Sequence, residues 1–179
     1  MKNQTKLFLE FLTLFVILPM ALCLSIGIWI KVTLGLLGFG FVVSVLSQEK
    51  YTLLKGGAKG FPTDLKKQII TVLALLIPAT IFFVYIYDSE QLFYVVRNNP
   101  IVWVVIFFVY SFMSVLPQEV LYRSFFFHRY RSLFTNNVVL VLINALVFSL
   151  GHLFFENTLV LVITFLGGLI FGYTYLKTK

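Results

Sequence analysis

The chain has 179 residues, of which 60% are hydrophobic and 18% aromatic but only 12% charged, and its mean hydropathy is +0.97. Soluble domains are about 45–50% apolar and about 25% charged, so the composition excludes a soluble protein and describes an integral membrane protein with no separate soluble domain. The net charge is +7, but the basic residues lie in short segments between apolar runs, where charge sets topology and meets anionic lipid, which leaves nucleic acid no role as a partner.

Lys2 and Lys6 ahead of a long apolar run imitate a secretory signal. Glu10 interrupts that run, no small-x-small cleavage site follows, and Leu22 stands before Cys23 where a lipoprotein signal wants a small residue, so residues 7–24 read as a retained span. Cys23 is the single cysteine, which excludes an internal disulfide and points to a packed thiol. Further apolar runs cover residues 27–46, 68–87, 101–116, 138–153 and 158–176, each near the roughly 17–25 residues of a membrane helix. With residues 117–134 as one more helix, the expected fold is all-α, a polytopic transmembrane bundle of about seven helices. Residues 1–67 then form an N-terminal transmembrane hairpin with a basic loop, and residues 68–179 a helical core.

Pro19 and Pro78 predict kinks. Gly35, Gly38 and Gly40, and the pair Gly168 and Gly172, predict close helix packing. The polar segment 47–67, with Lys50, Lys55, Lys59, Lys66, Lys67 and the flexible Gly56-Gly57, reads as a cytoplasmic loop and places the N-terminus in the cytoplasm. The loop 88–100 ends on the turn signal Asn98-Asn99-Pro100. Trp29, Trp103 and several tyrosines suit interfacial anchors.

Charge is concentrated outside the loops in one place, Pro117-Gln118-Glu119-Val120-Leu121-Tyr122-Arg123. Proline is tolerated at a first helical position, so a helix starting at Pro117 puts Glu119 in its first turn, with Arg123 at i+4 on the same face. An ionisable side chain at the centre of a bilayer costs about 2.5–3.5 kcal/mol on insertion scales, so such residues pair or line a wet cavity. One reading is a structural ion pair between helices; the other is a reactive site. In the next run Asn144, Phe148 and His152 share a stripe at helical spacing. A histidine so placed is either a satisfied interior residue or a partner for Glu119. If residues 117–134 and 138–153 form a hairpin with its tip at Asn136-Asn137, Glu119 lies about 24 Å and His152 about 22 Å from the tip, at one depth. His128 falls on the opposite side of its helix from Glu119 and reads as facing a headgroup or another helix. Glu156 either fixes the tautomer of His152 or belongs to a loop.

Glu119-x-x-x-Arg123 followed by Phe148-x-x-x-His152 resembles the first two motifs of the CAAX-protease and bacteriocin-processing (CPBP, Abi) family of membrane proteases. The likeness covers roughly residues 100–176 and includes the aromatic before Arg123, the aromatic-rich basic run after it and the glycine-rich last span. In that family the first motif usually reads Glu-Glu-x-x-x-Arg and a later helix supplies His-x-x-x-Asn or His-x-x-x-Asp. Here Gln118 stands in place of the first glutamate, and no third motif occurs before Lys179. The resemblance implies an intramembrane endopeptidase in which Glu119 and His152 polarise water, Arg123 fixes the Glu119 carboxylate, and Gln118 or Asn144 orients water or substrate. Its substrates would be membrane-anchored or prenylated peptides or bacteriocin precursors. A divalent metal such as zinc on Glu119 and His152 is compatible, although one Glu and one His are fewer than the three ligands usual for catalytic zinc.

Gln118 and the missing third motif equally suit a non-catalytic relative, an immunity or scaffold protein. A small transporter or channel would need polar residues through several spans, and the first three offer few. Topology holds a conflict. Treating residues 117–137 as one cytoplasmic loop puts Lys2, Lys6, Lys50, Lys55, Lys59, Lys66, Lys67, Arg123, Arg129, Arg131, Lys177 and Lys179 inside, with Lys31 and Arg97 outside. The hairpin moves Arg129, Arg131, Lys177 and Lys179 outside. Bringing Glu119 to His152 favours the hairpin, with a cavity opening towards the cytoplasm.

Overall fold

A computed structural model describes residues 4–51, 63–90 and 92–178 of the protein. Among them there is no strand, and the chain forms seven helices. These are α1 (Gln4–Leu22), α2 (Ile28–Gln48), α3 (Thr63–Tyr87), α4 (Tyr94–Asn98), α5 (Pro100–Arg129), α6 (Asn137–Leu150) and α7 (Thr158–Thr178). Five stretches, Gln4–Leu22, Ile28–Gln48, Pro100–Arg129, Asn137–Phe155 and Thr158–Lys177, are long and apolar enough to cross a bilayer. Large apolar side chains stand exposed along them, among them Trp29, Leu36 and Ile101, which is the surface a lipid-facing helix presents and a soluble monomer avoids. The basic stretch of the 47–67 loop that carries Lys55, Lys59 and Gly56-Gly57 lies outside the described residues, as do Lys2 and Lys179.

The number of helices agrees with the sequence reading, but their division differs. Pro117 does not begin a helix. It lies inside α5, between two wider-wound π-helical stretches, Ser111–Val115 and Val120–Phe125. A π-helical turn replaces i→i+4 bonding with i→i+5, so a residue without an N–H and with a bulky ring is accommodated and the helix continues. The same device precedes Pro19 in α1, where Thr13–Ile17 is π-helical. The seventh helix is instead the short α4. Cys23 is half-buried, and its thiol meets the Pro19 carbonyl at 3.4 Å.

The described chain forms two compact units. One holds residues 56–117, that is α3, α4 and the first part of α5; neither α4 nor Pro100–Tyr110 buries a residue. The other holds residues 1–55 and 118–177 and contains both polar motifs. Its core is aromatic. Phe11 and Phe15, one turn apart on α1, meet the end of α5 edge-on: Phe15 lies 5.5 Å from Tyr122, 5.5 Å from Phe126 and 5.7 Å from Tyr130, and Phe11 lies 5.6 Å from Tyr130. Such edge-to-face pairs add about 0.5–1.5 kcal/mol each beyond the area they bury.

The Asn136 side chain caps α6 by accepting from the Val139 N–H at 2.8 Å. Small residues bring α7 against α6. A Cβ on Gly168 would lie 2.8 Å from the Ala145 Cα, and one on Gly172 would lie 3.2 Å from the Asn144 Oδ1. Gly38 approaches Leu18 as closely, while Gly35 and Gly40 border open space.

Within this unit the start of α1, the ends of α2, α5 and α7 and the start of α6 gather at one end. Arg129 of α5 binds Glu10 of α1 and Glu49 just after α2; Gln4 reaches the Ser132 carbonyl; and the Tyr51 and Tyr175 hydroxyls meet at 3.1 Å. At the other end Leu18–Leu22 packs beside the turn Leu153–Phe155. Lys6, Lys50, Arg129, Arg131 and Lys177 therefore share one end, and Lys31 marks the opposite one. This corrects the hairpin expectation that put Arg129, Arg131 and Lys177 across the membrane from Lys6 and Lys50. Because residues 100–129 are one helix and not two, the chain makes one crossing fewer, and α5 and α6 are antiparallel without reversing the charge pattern. Glu119 then lies about 15 Å from the Arg129 end of α5 and His152 about 22 Å from the start of α6, well removed from the basic end rather than close to it.

Candidate active site

The site is built on the α5–α6 hairpin. Arg123, on the second π-helical stretch of α5, is 2% exposed. Its guanidinium donates to the Asn144 Oδ1 on α6 and weakly, at 3.4 Å, to the Tyr122 carbonyl. Two rings enclose it, Phe148 at 5.2 Å and Phe171 at 5.7 Å from the guanidinium carbon, and a desolvated cation over an aromatic face gains about 2 kcal/mol. Asn144 is fully enclosed and returns the contact, its Nδ2 donating to the Tyr122 carbonyl at 2.7 Å. A π-helical turn leaves a carbonyl short of its usual partner, and Asn144 supplies one.

The i,i+4 ion pair expected between Glu119 and Arg123 does not form. Glu119 is exposed and has no ion-pair partner within 4 Å among the described residues, although its charge is within coulombic reach of Arg123. The Arg123 guanidinium turns instead to α6, where Asn144 and two rings hold it. Gln118 is half-buried on the turn that carries Glu119.

His152 follows Gly151, the residue that ends α6. Its Nδ1 lies 2.7 Å from the Phe148 carbonyl. A carbonyl only accepts, so Nδ1 carries the proton and Nε2 is left as a lone pair; Nε2 has no partner among the described residues. Phe148 thus makes three contacts here: its carbonyl sets the His152 tautomer, its ring stands edge-on to His152 at 4.8 Å, and the same ring meets Tyr122 at 5.0 Å. Glu156 lies in a turn with φ of 52° and plays no part in orienting His152.

Tyr122 closes the gap between the motifs. It is buried, and its hydroxyl touches Gly151 so closely that a Cβ there would lie 2.1 Å away. The turn holding Glu119 and the turn holding His152 are therefore neighbours, although no direct hydrogen bond joins Glu119 to His152. Sequence reading noted Tyr122 only as the aromatic before Arg123 and gave it no role; its place between Glu119 and Arg123 was the available signal.

A second polar cluster was also missed. Arg129 binds Glu10 in a bidentate pair at 2.8 and 2.7 Å and also contacts Glu49; Tyr130 donates to Glu10 at 2.9 Å; and His128 meets Glu49 at 2.8 Å while its ring lies 4.5 Å from Tyr51. Glu10, noticed as a break in the first apolar run, is thus a paired intramembrane acid. His128 faces another helix, one of the two alternatives for it.

For a resident metal the donors fall short. Among the described residues no three His, Cys, Asp or Glu side chains cluster, and Glu119 with His152 offers two donors where catalytic zinc takes three. The residues present do not fit such an ion.

Fold and site together define an all-helical, multi-pass membrane protein whose Glu119, Arg123, Asn144 and His152 are carried by one antiparallel helix pair. Residues 100–179, which contain that pair, match the family model for type II CAAX prenyl endopeptidases, Rce1-like, in agreement with the CAAX-protease family that the motifs resemble. No curated protein and no solved structure matches the chain.

Proposed function

We propose that the protein is a membrane endopeptidase that hydrolyses a peptide bond in a membrane-anchored peptide, with Glu119 and His152 as its working groups. The observation that carries this reading is the fixed tautomer of His152: Nδ1 is committed to the Phe148 carbonyl, which leaves an acceptor nitrogen on the turn beside the one bearing Glu119, whose carboxylate has no ion-pair partner among the described residues. Water held between them gives a proton to Glu119 while Nε2 orients it through a second hydrogen bond. The water oxygen adds to the scissile carbonyl carbon, and the carbonyl electron pair moves to its oxygen. When that pair returns, the C–N bond breaks and Glu119 passes its proton to the departing amine. Arg123 and Asn144 hold the two helices in register. Asn144, with both ends of its amide occupied, supports the site without touching substrate.

The matching family's description supports a prenylated peptide as the substrate class. So does an apolar groove of about 370 Å³ between α6 and α7, lined by Leu146, Leu150, Leu161, Val162 and Phe165 and reaching Leu153 next to His152. By the positive-inside rule, the end carrying Lys6, Lys50, Arg129, Arg131 and Lys177 faces the cytoplasm together with the N-terminus; membrane-impermeant labelling of a cysteine placed at Lys50 from the outside would contradict that orientation.

The test is cleavage of a farnesylated reporter peptide in proteoliposomes, followed by mass spectrometry. Wild type should cut it, and Glu119→Gln and His152→Ala should each lose at least about 100-fold, the usual scale for a general base. Undiminished cleavage by both variants refutes the mechanism. A second reading, a non-catalytic immunity or scaffold protein, is favoured by Gln118 standing where the family has a glutamate; it predicts no cleavage by wild type and none by Gln118→Glu.

A further inference from the structure

Hydrolysis of an amide also needs a hydrogen-bond donor where the carbonyl oxygen gathers negative charge. The obvious polar groups are not available for it. Asn144 is fully enclosed with its amide spent, and Arg123 is enclosed between two rings with its Nε buried and unpaired. Tyr122 differs from both. Phe15 at 5.5 Å and Phe148 at 5.0 Å hold its ring edge-on, so the hydroxyl has a fixed position, in contact with Gly151 and one residue from His152. The residue keeps 7% of its surface accessible. Its hydroxyl has no hydrogen-bond partner among the described residues, yet it is not sealed in as Arg123 Nε is. An oriented, unpaired O–H at the rim of an apolar core, on the turn that follows Glu119, lacks an acceptor that a substrate carbonyl would supply.

We infer that Tyr122 is a further catalytic residue, donating a hydrogen bond from its hydroxyl to the scissile carbonyl oxygen as water adds to the carbon. The inference rests on the peptidase reading of the site. Tyr122 exchanges no proton: the electron pair that moves onto the carbonyl oxygen is stabilised by the O–H and returns when the C–N bond breaks, so the phenol ends as it began. Gly151 is required at its position because any side chain there would occupy the space of that hydroxyl.

The experiment uses the full chain in proteoliposomes with the farnesylated reporter peptide. Tyr122→Phe keeps the ring and its packing, and removing one oxyanion donor typically costs about 10²–10³ in kcat; the expected result is a loss of that size with KM and thermal stability unchanged. A Tyr122→Phe enzyme within threefold of wild-type kcat, or one whose loss follows a fall in stability, overturns the inference while leaving the peptidase reading standing. Replacing Tyr122 with 3,5-difluorotyrosine, which changes the acidity of the hydroxyl and hardly its size, should alter kcat at least threefold, and an unaltered rate overturns it too. Absence of any cleavage by wild type overturns the peptidase reading and this inference together.

Discussion

Asn144→Leu is the most informative single change for the architecture of the site. It keeps the volume of the side chain close to native while removing the acceptor for Arg123 and the donor to the Tyr122 carbonyl. A hydrogen bond to a charged group contributes about 1.5–3 kcal/mol, and a buried carbonyl left without its partner costs about 1–3 kcal/mol more. Against this, interhelical hydrogen bonds in membranes average only about 0.6 kcal/mol, because the unfolded chain finds other partners in the bilayer. The first effect should win here. Arg123 is 2% exposed, and its one other hydrogen bond is the 3.4 Å contact with the Tyr122 carbonyl. The expected destabilisation is about 2–4 kcal/mol, measured by equilibrium unfolding of the purified protein in mixed detergent micelles. Asn144→Asp should be destabilised less than Asn144→Leu: it keeps the acceptor and adds an opposite charge beside Arg123, but it too loses the donor to the Tyr122 carbonyl. Asn144→Leu within about 0.5 kcal/mol of wild type would refute the claim that this joint holds α5 to α6.

Arg129→Lys should cost nearly as much stability as Arg129→Ala, about 2–4 kcal/mol in the same assay, because an ammonium cannot reproduce the bidentate pair with Glu10 and the contact with Glu49. Gly168→Leu should abolish the folded state, since a Cβ already lies 2.8 Å from the Ala145 Cα, whereas Gly35→Ala, in open space, should leave the unfolding midpoint unchanged. Burial, the negative charge of Glu10 and the hydrogen bond donated to it push the Tyr130 hydroxyl above the usual tyrosine value. The folded protein keeps that proton where the unfolded chain, with a value of about 10, gives it up. The associated stability is complete below that pH and lost as pH rises through the folded value, so Tyr130→Phe should flatten the alkaline fall in stability; an identical alkaline profile counts against the assignment.

Much of this was legible in the residues. The apolar runs announced the spanning helices, and the spacing of Arg123, Asn144 and Phe148 announced two antiparallel helices meeting through polar and aromatic side chains. What escaped had a common cause: helical periodicity assumes one winding. The π-helical turns before Pro19 and on either side of Pro117 carry the helix through its prolines, and so Pro117 looked like a helix start, and an extra crossing was added that moved Arg129, Arg131 and Lys177 to the wrong side. Pairings between distant segments were invisible for a different reason. Glu10, Glu49 and Arg129 lie about 40 to 120 positions apart in the chain, and no local spacing rule connects them.

The central claim is that the turn bearing Glu119 and the turn bearing His152 face one another across the α5–α6 pair. With Cys23 changed to Ser, the double variant Glu119→Cys/His152→Cys should be joined in native membranes by a short bis-maleimide, as read by a protease site introduced between them, while His128→Cys/His152→Cys, at opposite ends of the same helix pair, should not. Failure of the first pair to join while each cysteine still reacts singly with maleimide, or equal joining of both pairs, would contradict the account.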